Sequence, residues 1–308
     1  MAGHGDPFGD GYIAAYTVLT MRVARPLAYR HCQRGRKDES FVRTDMSVTQ
    51  QLVETAAAHG DEEALINSGT RHTFAGLAST VLRAAAGLAW RGLRPRDVVG
   101  VYVPDVATYV VACHAIRAAG GIPCPVSPAL AVPEVAGQLA DCGARMLLTA
   151  QPLAAAGLAA ADRSWVRQVI SFCNAPATTP FDSLLDMGTL QPPSTRPHDL
   201  ALLPYSRSAD GTLHPAGLTH LDLAAQLEEL AGTADVTAAD VVLAPPPVGD
   251  GRSYTAVVDH ALLHGATVVA ARTEELAVAA AAHGGTAAIV PAGVEVQAAE
   301  PLRLFAVL

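Results

Sequence analysis

Residues 98–126 read VVGVYVPDVATYVVACHAIRAAGGIPCPV, and this stretch decides the fold. It opens on an apolar run of strand length and closes on another. Between the two runs, residues 106–119 carry apolar side chains at helical spacing, and the pattern stops at Gly120 and Gly121. A strand, a helix and a second strand of these lengths form a right-handed βαβ unit, so the two strands are predicted to be parallel.

The same alternation continues on both sides of this unit. The chain is therefore predicted to be an α/β protein with doubly wound, mostly parallel sheets and flanking helices. Further strands are predicted at 145–149, 169–172, 201–205, 241–244, 267–271 and 287–290. Further helices are predicted at 73–90, 133–142, 151–165, 221–231, 257–263 and 274–283.

One folded unit is predicted over residues 46–308, with a first α/β portion at about 46–195 and a second at 196–308. Residues 1–45 hold no sustained period and are predicted to be a poorly ordered extension. Met46 is followed by Ser47 and Gln50 at the spacing of a capping box, which starts a helix. We expect translation to begin at Met46, with the preceding segment a wrongly assigned start.

Composition excludes several classes of protein. The net charge is −8 and the hydrophobic fraction is 50%, so the chain buries a core and presents no basic field for nucleic acid. The apolar stretch at 13–23 follows an acidic start and contains Arg22, so neither a signal peptide nor a membrane span is predicted.

Cysteine and histidine spacing indicates neither a disulfide framework nor a metal site, and a cytoplasmic protein is the simpler interpretation. The five cysteines are odd in number and form no CxxC pair. Four histidines are expected at surface or helix-flank positions rather than as ligands: His114, His260, His264 and His283.

Several segments have sequences that are specific to one protein family. Residues 71–77 (RHTFAGL), an Ala-rich helix and 92–99 (GLRPRDVV) resemble the opening of AMP-forming acyl- and aryl-CoA synthetases, including 4-coumarate-CoA ligases. The segments at 118–126, 138–149 and 241–269 are similar to later parts of that family. The resemblance covers residues 47–308 and implies the N-terminal fold of an adenylate-forming ligase, which activates a carboxylic acid with ATP and Mg²⁺.

The family's phosphate loop, Y-S-S-G-T-T-G-L-P-K-G-V-M-L-T-H, aligns without a gap to residues 205–220. Its ends match but its centre does not, because Ala209 and Asp210 replace threonines and His214 stands at the lysine position. Asp210 adds a carboxylate where the family needs donors to phosphate. By resemblance, a degenerate nucleotide-binding loop would comprise Tyr205, Ser206, Arg207, Ser208, Gly211, Thr212 and His214.

The acyl-pocket motif P-F-F-H-x-x-G also departs from the family. Its aromatic wall and histidine correspond to Val248, Gly249 and Asp250, a vestige of the pocket. Lys37 is the chain's only lysine, so no residue from Met46 onward can act as either of the family's lysines. The family's later motifs would lie beyond residue 308, and no catalytic residue is assigned here.

Three functional hypotheses remain. The first is an inactive pseudoenzyme or gene remnant. The second is one half of a split ligase, completed by another chain that docks on the apolar edge running from Leu302 to Leu308. The third is a working CoA ligase. For the loop itself, an inert relic and retained binding of ATP with Mg²⁺ both stay open, the latter because Arg207 can pair with phosphate.

Overall fold

The computed structural model describes residues 46–67, 69–247, 251–292 and 302–307. Its helices are α1 Val48–His59, α2 Phe74–Trp90, α3 Val106–Ala118, α4 Val132–Asp141, α5 Ala154–Ala161, α6 His220–Thr233, α7 Arg252–Leu263 and α8 Leu276–His283. Its first strands are β1 Glu63–Asn67, β2 Thr70–Thr73, β3 Val98–Tyr102, β4 Ile122–Pro125, β5 Met146–Thr149, β6 Gln168–Ser171 and β7 Thr179–Pro180. The later strands are β8 Leu200–Leu202, β9 Tyr205–Arg207, β10 Leu213–Pro215, β11 Leu218–Thr219, β12 Val241–Ala244, β13 Thr267–Ala270, β14 Ala287–Pro291 and β15 Arg303–Val307.

The decisive stretch folds as predicted. Strands β3 and β4 are parallel neighbours, with Val98 opposite Ile122, and helix α3 connects them. They belong to a five-stranded sheet in the order β4-β3-β5-β6-β7, whose pairings are all parallel. The α/β class with doubly wound parallel sheets and flanking helices is confirmed.

A second sheet has six strands in the order β15-β14-β12-β13-β1-β2. Only the β1–β2 pairing in it is antiparallel. Strand β1 pairs with β13, which places Leu65 opposite Val268. Neither strand of this hairpin is predicted from the sequence, because β2 reads TRHT and offers no apolar alternation.

Alternating side chains assign the faces of both sheets. On β3, Val99 and Val101 join the central core together with α1, α2, α3, α6 and α7, whereas Tyr102 joins an outer cluster with α4 and α5. On β12, Val242 faces the same central core and Leu243 faces α8. The five helices of the central layer are therefore covered on both sides by a sheet.

Several boundaries differ from the predictions. The predicted strand at 201–205 is split, since β8 pairs with β11 while β9 pairs with β10 in a separate hairpin. Helix α7 begins earlier than predicted, at Arg252. The capping box that starts α1 is confirmed: the Ser47 amide donates to Gln50 Oε1 at 2.8 Å and the Gln50 amide donates to Ser47 Oγ at 3.2 Å.

Other expectations stay predictions. The division near residue 195 is not tested by the fold, and the β1–β2 hairpin joins the sheet formed by the later strands. The extension at 1–45 lies outside the described residues. In the part of the chain that the structure describes, every helix is too short or too polar to cross a bilayer.

Candidate functional site

A cleft of about 560 Å³ lies beyond the carboxyl end of β4, where α4 approaches the β9–β10 hairpin. In parallel sheets of this class, ligand sites form outside the carboxyl ends of strands. The cleft is lined from β4 and α4 by Pro125, Val126, Glu134 and Gln138, and from the hairpin by Tyr205, Ser206, Arg207 and Leu213. The segment that aligns with the family's phosphate loop therefore forms one wall of the cleft.

The aligned segment is a tight hairpin. Ser206 lies opposite His214 and Arg207 lies opposite Leu213 in antiparallel register. The Ser208 amide closes the tip by donating to the Thr212 carbonyl at 2.9 Å. Gly211 turns the chain with a φ of 86°, a conformation that glycine adopts without strain. All the loop residues identified by resemblance thus lie on one ordered element.

Asp210 occupies the centre of this tip. Its Oδ1 accepts hydrogen bonds from the Ser208 hydroxyl at 2.5 Å and from the Thr212 amide at 3.0 Å. These donors, the Ser208 hydroxyl foremost, lower the pKa of the Asp210 carboxyl to about 2. The Ser208 hydroxyl and the Thr212 amide are therefore engaged by a carboxylate of the chain itself.

Arg207 is likewise engaged. Its guanidinium donates to Glu134 Oε1 on α4 at 2.8 Å and to the Gly211 carbonyl at 2.6 Å. The hydrogen bond from Arg207 lowers the pKa of Glu134, whose second oxygen accepts from the Ala131 amide at 3.1 Å. Arg207 thus fastens the hairpin to the first turn of α4.

Tyr205 anchors the other end of the hairpin. Its hydroxyl donates to the Asp141 carboxylate at the end of α4, and its ring is buried. Burial first, and this carboxylate second, raise the pKa of the tyrosine hydroxyl. His214, at the family's lysine position, is exposed on β10. The cleft wall is therefore held to both ends of α4, while the lysine position faces solvent.

The acyl-pocket vestige Val248, Gly249 and Asp250 lies outside the described residues. Its neighbours Pro247 and Gly251 line the cleft. Gly251 has a φ of 73°, and a Cβ added there would lie 3.0 Å from the Cβ of Pro125. The start of α7 therefore packs closely against the end of β4 beside the cleft.

The hairpin tip does not fit a triphosphate. The tip holds a carboxylate where phosphate oxygens would need donors, and the nearby Arg207 is already paired. In the described ranges, no group of three or more histidine, cysteine, aspartate or glutamate side chains is placed to hold a metal ion. What the cleft offers instead is a mixed wall of apolar and polar side chains.

A buried network between α3 and α7 was not predicted from the sequence. His114 Nε2 lies 3.1 Å from Asp259 Oδ1, and Arg117 Nη1 donates to Asp259 Oδ2 at 3.0 Å. Burial would raise the pKa of Asp259, but Arg117 and His114 outweigh that effect and lower it. The expected surface or helix-flank position is wrong for His114, which is 1% exposed in the interior of α3. His260 is equally buried but lies in the last turn of α7. The signal was a histidine and an arginine one turn apart on the apolar helix α3.

Comparison with known proteins places this chain in a family. The model of the AMP-binding enzyme family matches residues 52–295. Feruloyl-CoA synthase from Amycolatopsis sp is 29% identical over 215 residues, which cover 70% of this chain and 40% of that protein. The 4-coumarate–CoA ligase-like 9 protein of Oryza sativa subsp. japonica is 26% identical over 251 residues, covering 78% and 45%.

Solved structures agree. Apo MbtA of Mycobacterium smegmatis superposes with a TM-score of 0.73 at 26% identity, covering 82% of this chain and 49% of that one. A long-chain-fatty-acid-CoA ligase from Archaeoglobus fulgidus has a TM-score of 0.71 at 21% identity, covering 80% and 51%, which is a likeness of fold. The chain spans about half the length of these proteins. Because the family model spans most of the sequence and the fold agrees, the chain belongs to the AMP-binding enzyme family.

Proposed function

We propose that this chain is a catalytically inactive member of the AMP-binding enzyme family, a pseudoenzyme with the fold of an acyl- or aryl-CoA ligase. The observation that carries the proposal is the Asp210 carboxylate in the hairpin tip, hydrogen-bonded to Ser208 and Thr212. A carboxylate of lowered pKa stays ionised at neutral pH and repels an incoming phosphate chain. The Ser208 hydroxyl and the Thr212 amide thus donate to a side chain of the hairpin itself.

The remaining cations of the loop do not restore phosphate binding. Arg207 is paired with Glu134. His214 stands at the position of the family's lysine, whose ammonium group would stay protonated at neutral pH. The segment after Met46 has no lysine to substitute for it. ATP and Mg²⁺ are therefore not cofactors of this hairpin in the proposed function.

A second candidate function is one half of a split ligase, which another polypeptide completes. The observation that favours it is the position of β15 at the end of the six-stranded sheet. The Arg303 amide donates to Thr286 on the β14 side, so the amides of Leu304 and Ala306 point to the opposite side. Within the described residues no strand pairs there, and an added strand is the occupant such an edge fits.

Both candidates carry a cytoplasmic setting as part of the proposal. Supporting it, the four cysteines in the described ranges are free thiols: Cys113, Cys124, Cys142 and Cys173. Reduced cysteines are typical of compartments that keep thiols in that state.

The pseudoenzyme is tested with the full chain by carboxylate-dependent pyrophosphate exchange and by calorimetric titration with a nonhydrolysable aryl-adenylate mimic. We expect neither exchange nor heat of binding. The variant Asp210→Asn removes the charge but keeps an acceptor for Thr212, and Asp162→Asn is the control at an exposed site. Exchange by the unmodified chain would overturn the proposal. Binding of the mimic that neither Arg207→Gln nor Asp210→Asn changes would place the binding site outside the hairpin.

The split ligase is tested by affinity capture from cells that express the tagged chain. Ala306→Pro places a ring on the outward amide of β15 without removing a hydrogen bond to β14, and Ala306→Val is the control. A second polypeptide captured by Ala306→Val but lost with Ala306→Pro, and conferring adenylate formation on the mixture, is the result this candidate requires. A chain that stays alone in every capture argues against it.

A further inference from the structure

A second concave surface lies at the opposite end of the five-stranded sheet. Its cavity of about 570 Å³ is lined at the amino ends of β3, β5 and β6, whereas the candidate functional site lies beyond the carboxyl end of β4. We call it the arginine cleft, because five of its lining residues are arginines: Arg91, Arg94, Arg96, Arg145 and Arg167. Asp97 is the acidic residue among its lining residues.

Two of these arginines are forced side by side. Arg145 and Arg167 each precede a strand by one residue, and the parallel strands β5 and β6 begin with Met146 opposite Gln168. The Arg167 amide donates to the Arg145 carbonyl at 2.8 Å, which fixes the two backbones together. Like charges on neighbouring strands destabilise a sheet unless a counter-charge lies between them.

The other walls of the cleft are equally fixed. The Gln168 side-chain amide donates to the Arg91 carbonyl at 3.1 Å, joining the end of α2 to β6. Arg96 holds a left-handed φ of 72°, unusual for a residue with a side chain, while its amide donates to the Gly120 carbonyl at 2.8 Å. The frame that carries the guanidinium groups is therefore built before any ligand arrives.

The charges of the cleft are not neutralised by the protein. Within the described residues, none of the five arginines forms an ion pair. The Asp97 carboxylate accepts from the Arg94 amide at 2.9 Å, so it caps its own loop. This concentration of positive charge belongs to a chain whose net charge is −8. A site of this sign on an acidic protein selects compact anions, because the rest of the surface repels long polyanions.

We propose that the arginine cleft binds a small, multiply charged phosphate compound of nucleotide size. Guanidinium groups match phosphate oxygens with two parallel hydrogen bonds, and the paired Arg145 and Arg167 present two such groups to one ligand. The volume lies in the range of small-molecule sites. Free polyphosphate and a nucleoside triphosphate offer the same chemistry. The proposal is independent of the inactive phosphate loop.

Tryptophan fluorescence supplies a local signal. The chain has two tryptophans, Trp90 and Trp165, each 69% exposed, and each close in sequence to an arginine of the cleft. The Arg91 guanidinium lies 5.9 Å from the centre of the Trp90 ring. Movement of Arg91 toward a phosphate changes the field at that indole, so ligand binding is expected to change its emission.

The test uses the full chain with sodium tripolyphosphate and with ATP, both free of magnesium, followed by calorimetry and by tryptophan emission. We expect saturable binding that Arg145→Gln with Arg167→Gln weakens by about 100-fold, since each lost guanidinium contact contributes about tenfold. The control pair Arg163→Gln with Arg272→Gln removes the same charge outside the cleft and should change affinity little. A loss of tripolyphosphate binding in Arg207→Gln would instead assign the ligand to the phosphate loop and overturn the proposal.

The ligand arms separate the two sources. Equal affinity for tripolyphosphate and ATP identifies the phosphate chain as the recognised group, whereas tighter binding of ATP identifies a nucleotide. Circular dichroism checks that each variant is folded. We expect folded variants because Arg145 and Arg167 are both exposed. Absent binding of both compounds, or equal losses in both arginine pairs, would each overturn the proposal.

Discussion

The Asp210 carboxylate accepts a hydrogen bond at 3.0 Å from the backbone amide of Thr212, two residues further along the hairpin tip. The pKa of this carboxyl is about 2, below the ordinary 3.8. A folded-state pKa that is lowered stabilises the fold above the ordinary value, and the stabilisation is lost as the pH falls through the lowered one. We expect the Thr212 amide resonance to shift near pH 2, and Asp210→Asn to abolish that transition. A transition that survives in Asp210→Asn would assign it to another group.

Asp259 is predicted to be the most sensitive carboxylate of the core. Asp259→Asn leaves His114 and Arg117 buried without their anion, and breaking such a pair costs about 3 to 5 kcal/mol. Urea denaturation should show this loss of unfolding free energy, with Asp162→Asn near the unmodified value.

The same network predicts a non-additive result. Replacing all three members by apolar residues, as in His114→Leu, Arg117→Met and Asp259→Leu, removes the uncompensated charges together. The triple variant should unfold at higher urea than Asp259→Asn alone. Equal or greater destabilisation would mean that the network contributes through packing that leucine and methionine do not reproduce.

Two glycines in helices should respond oppositely to alanine. A Cβ at Gly87 in α2 would lie 2.4 Å from the Leu184 carbonyl oxygen, a backbone atom, so Gly87→Ala should cost about 1 to 3 kcal/mol. A Cβ at Gly137 in α4 meets nothing within 4 Å, so Gly137→Ala should stabilise by about 0.5 to 1 kcal/mol. Thermal denaturation of both variants checks the pair, and shifts of the same sign would contradict it.

Tyr205→Phe should loosen the hairpin modestly. It deletes the hydrogen bond to Asp141 and keeps the buried ring, so the expected loss is about 1 kcal/mol of unfolding free energy. A double-mutant cycle with Asp141→Ala isolates the pair. If the two side chains interact, the loss of unfolding free energy in the double variant should be smaller than the sum of the two single losses. Additive losses would mean that the Tyr205 hydroxyl and Asp141 contribute to stability independently of each other.

The strands followed from the sequence only where periodicity is strong. Residues 98–126 carry unbroken apolar runs, because β3 and β4 are covered on both faces, and such runs specify strands without further help. Strand β2 has half-buried or exposed residues throughout, so its existence depends on pairing with β1. Local composition could not predict that pairing.

The candidate site shows the same limit. Alignment identified the residues from Tyr205 to His214 as one functional segment, and the structure places them on one hairpin. The alignment could not predict that Asp210 would accept hydrogen bonds from the donors of the hairpin tip. An aspartate before glycine in a turn nevertheless often accepts from an amide two residues later. His114 and Asp259 lie 145 residues apart, a separation at which one sequence carries no signal of contact.

The neighbourhood of β1 and β13 has a consequence for biosynthesis. Leu65 cannot meet Val268 until roughly two hundred further residues have left the ribosome, since chains emerge from the amino end. The apolar strand β1 therefore has no β13 to pair with while the intervening elements are translated. Pairing over such separations is slow, and it ties the first and last parts of the chain into one cooperative event. Translation that stalls before β13 would leave β1 available to other nascent chains.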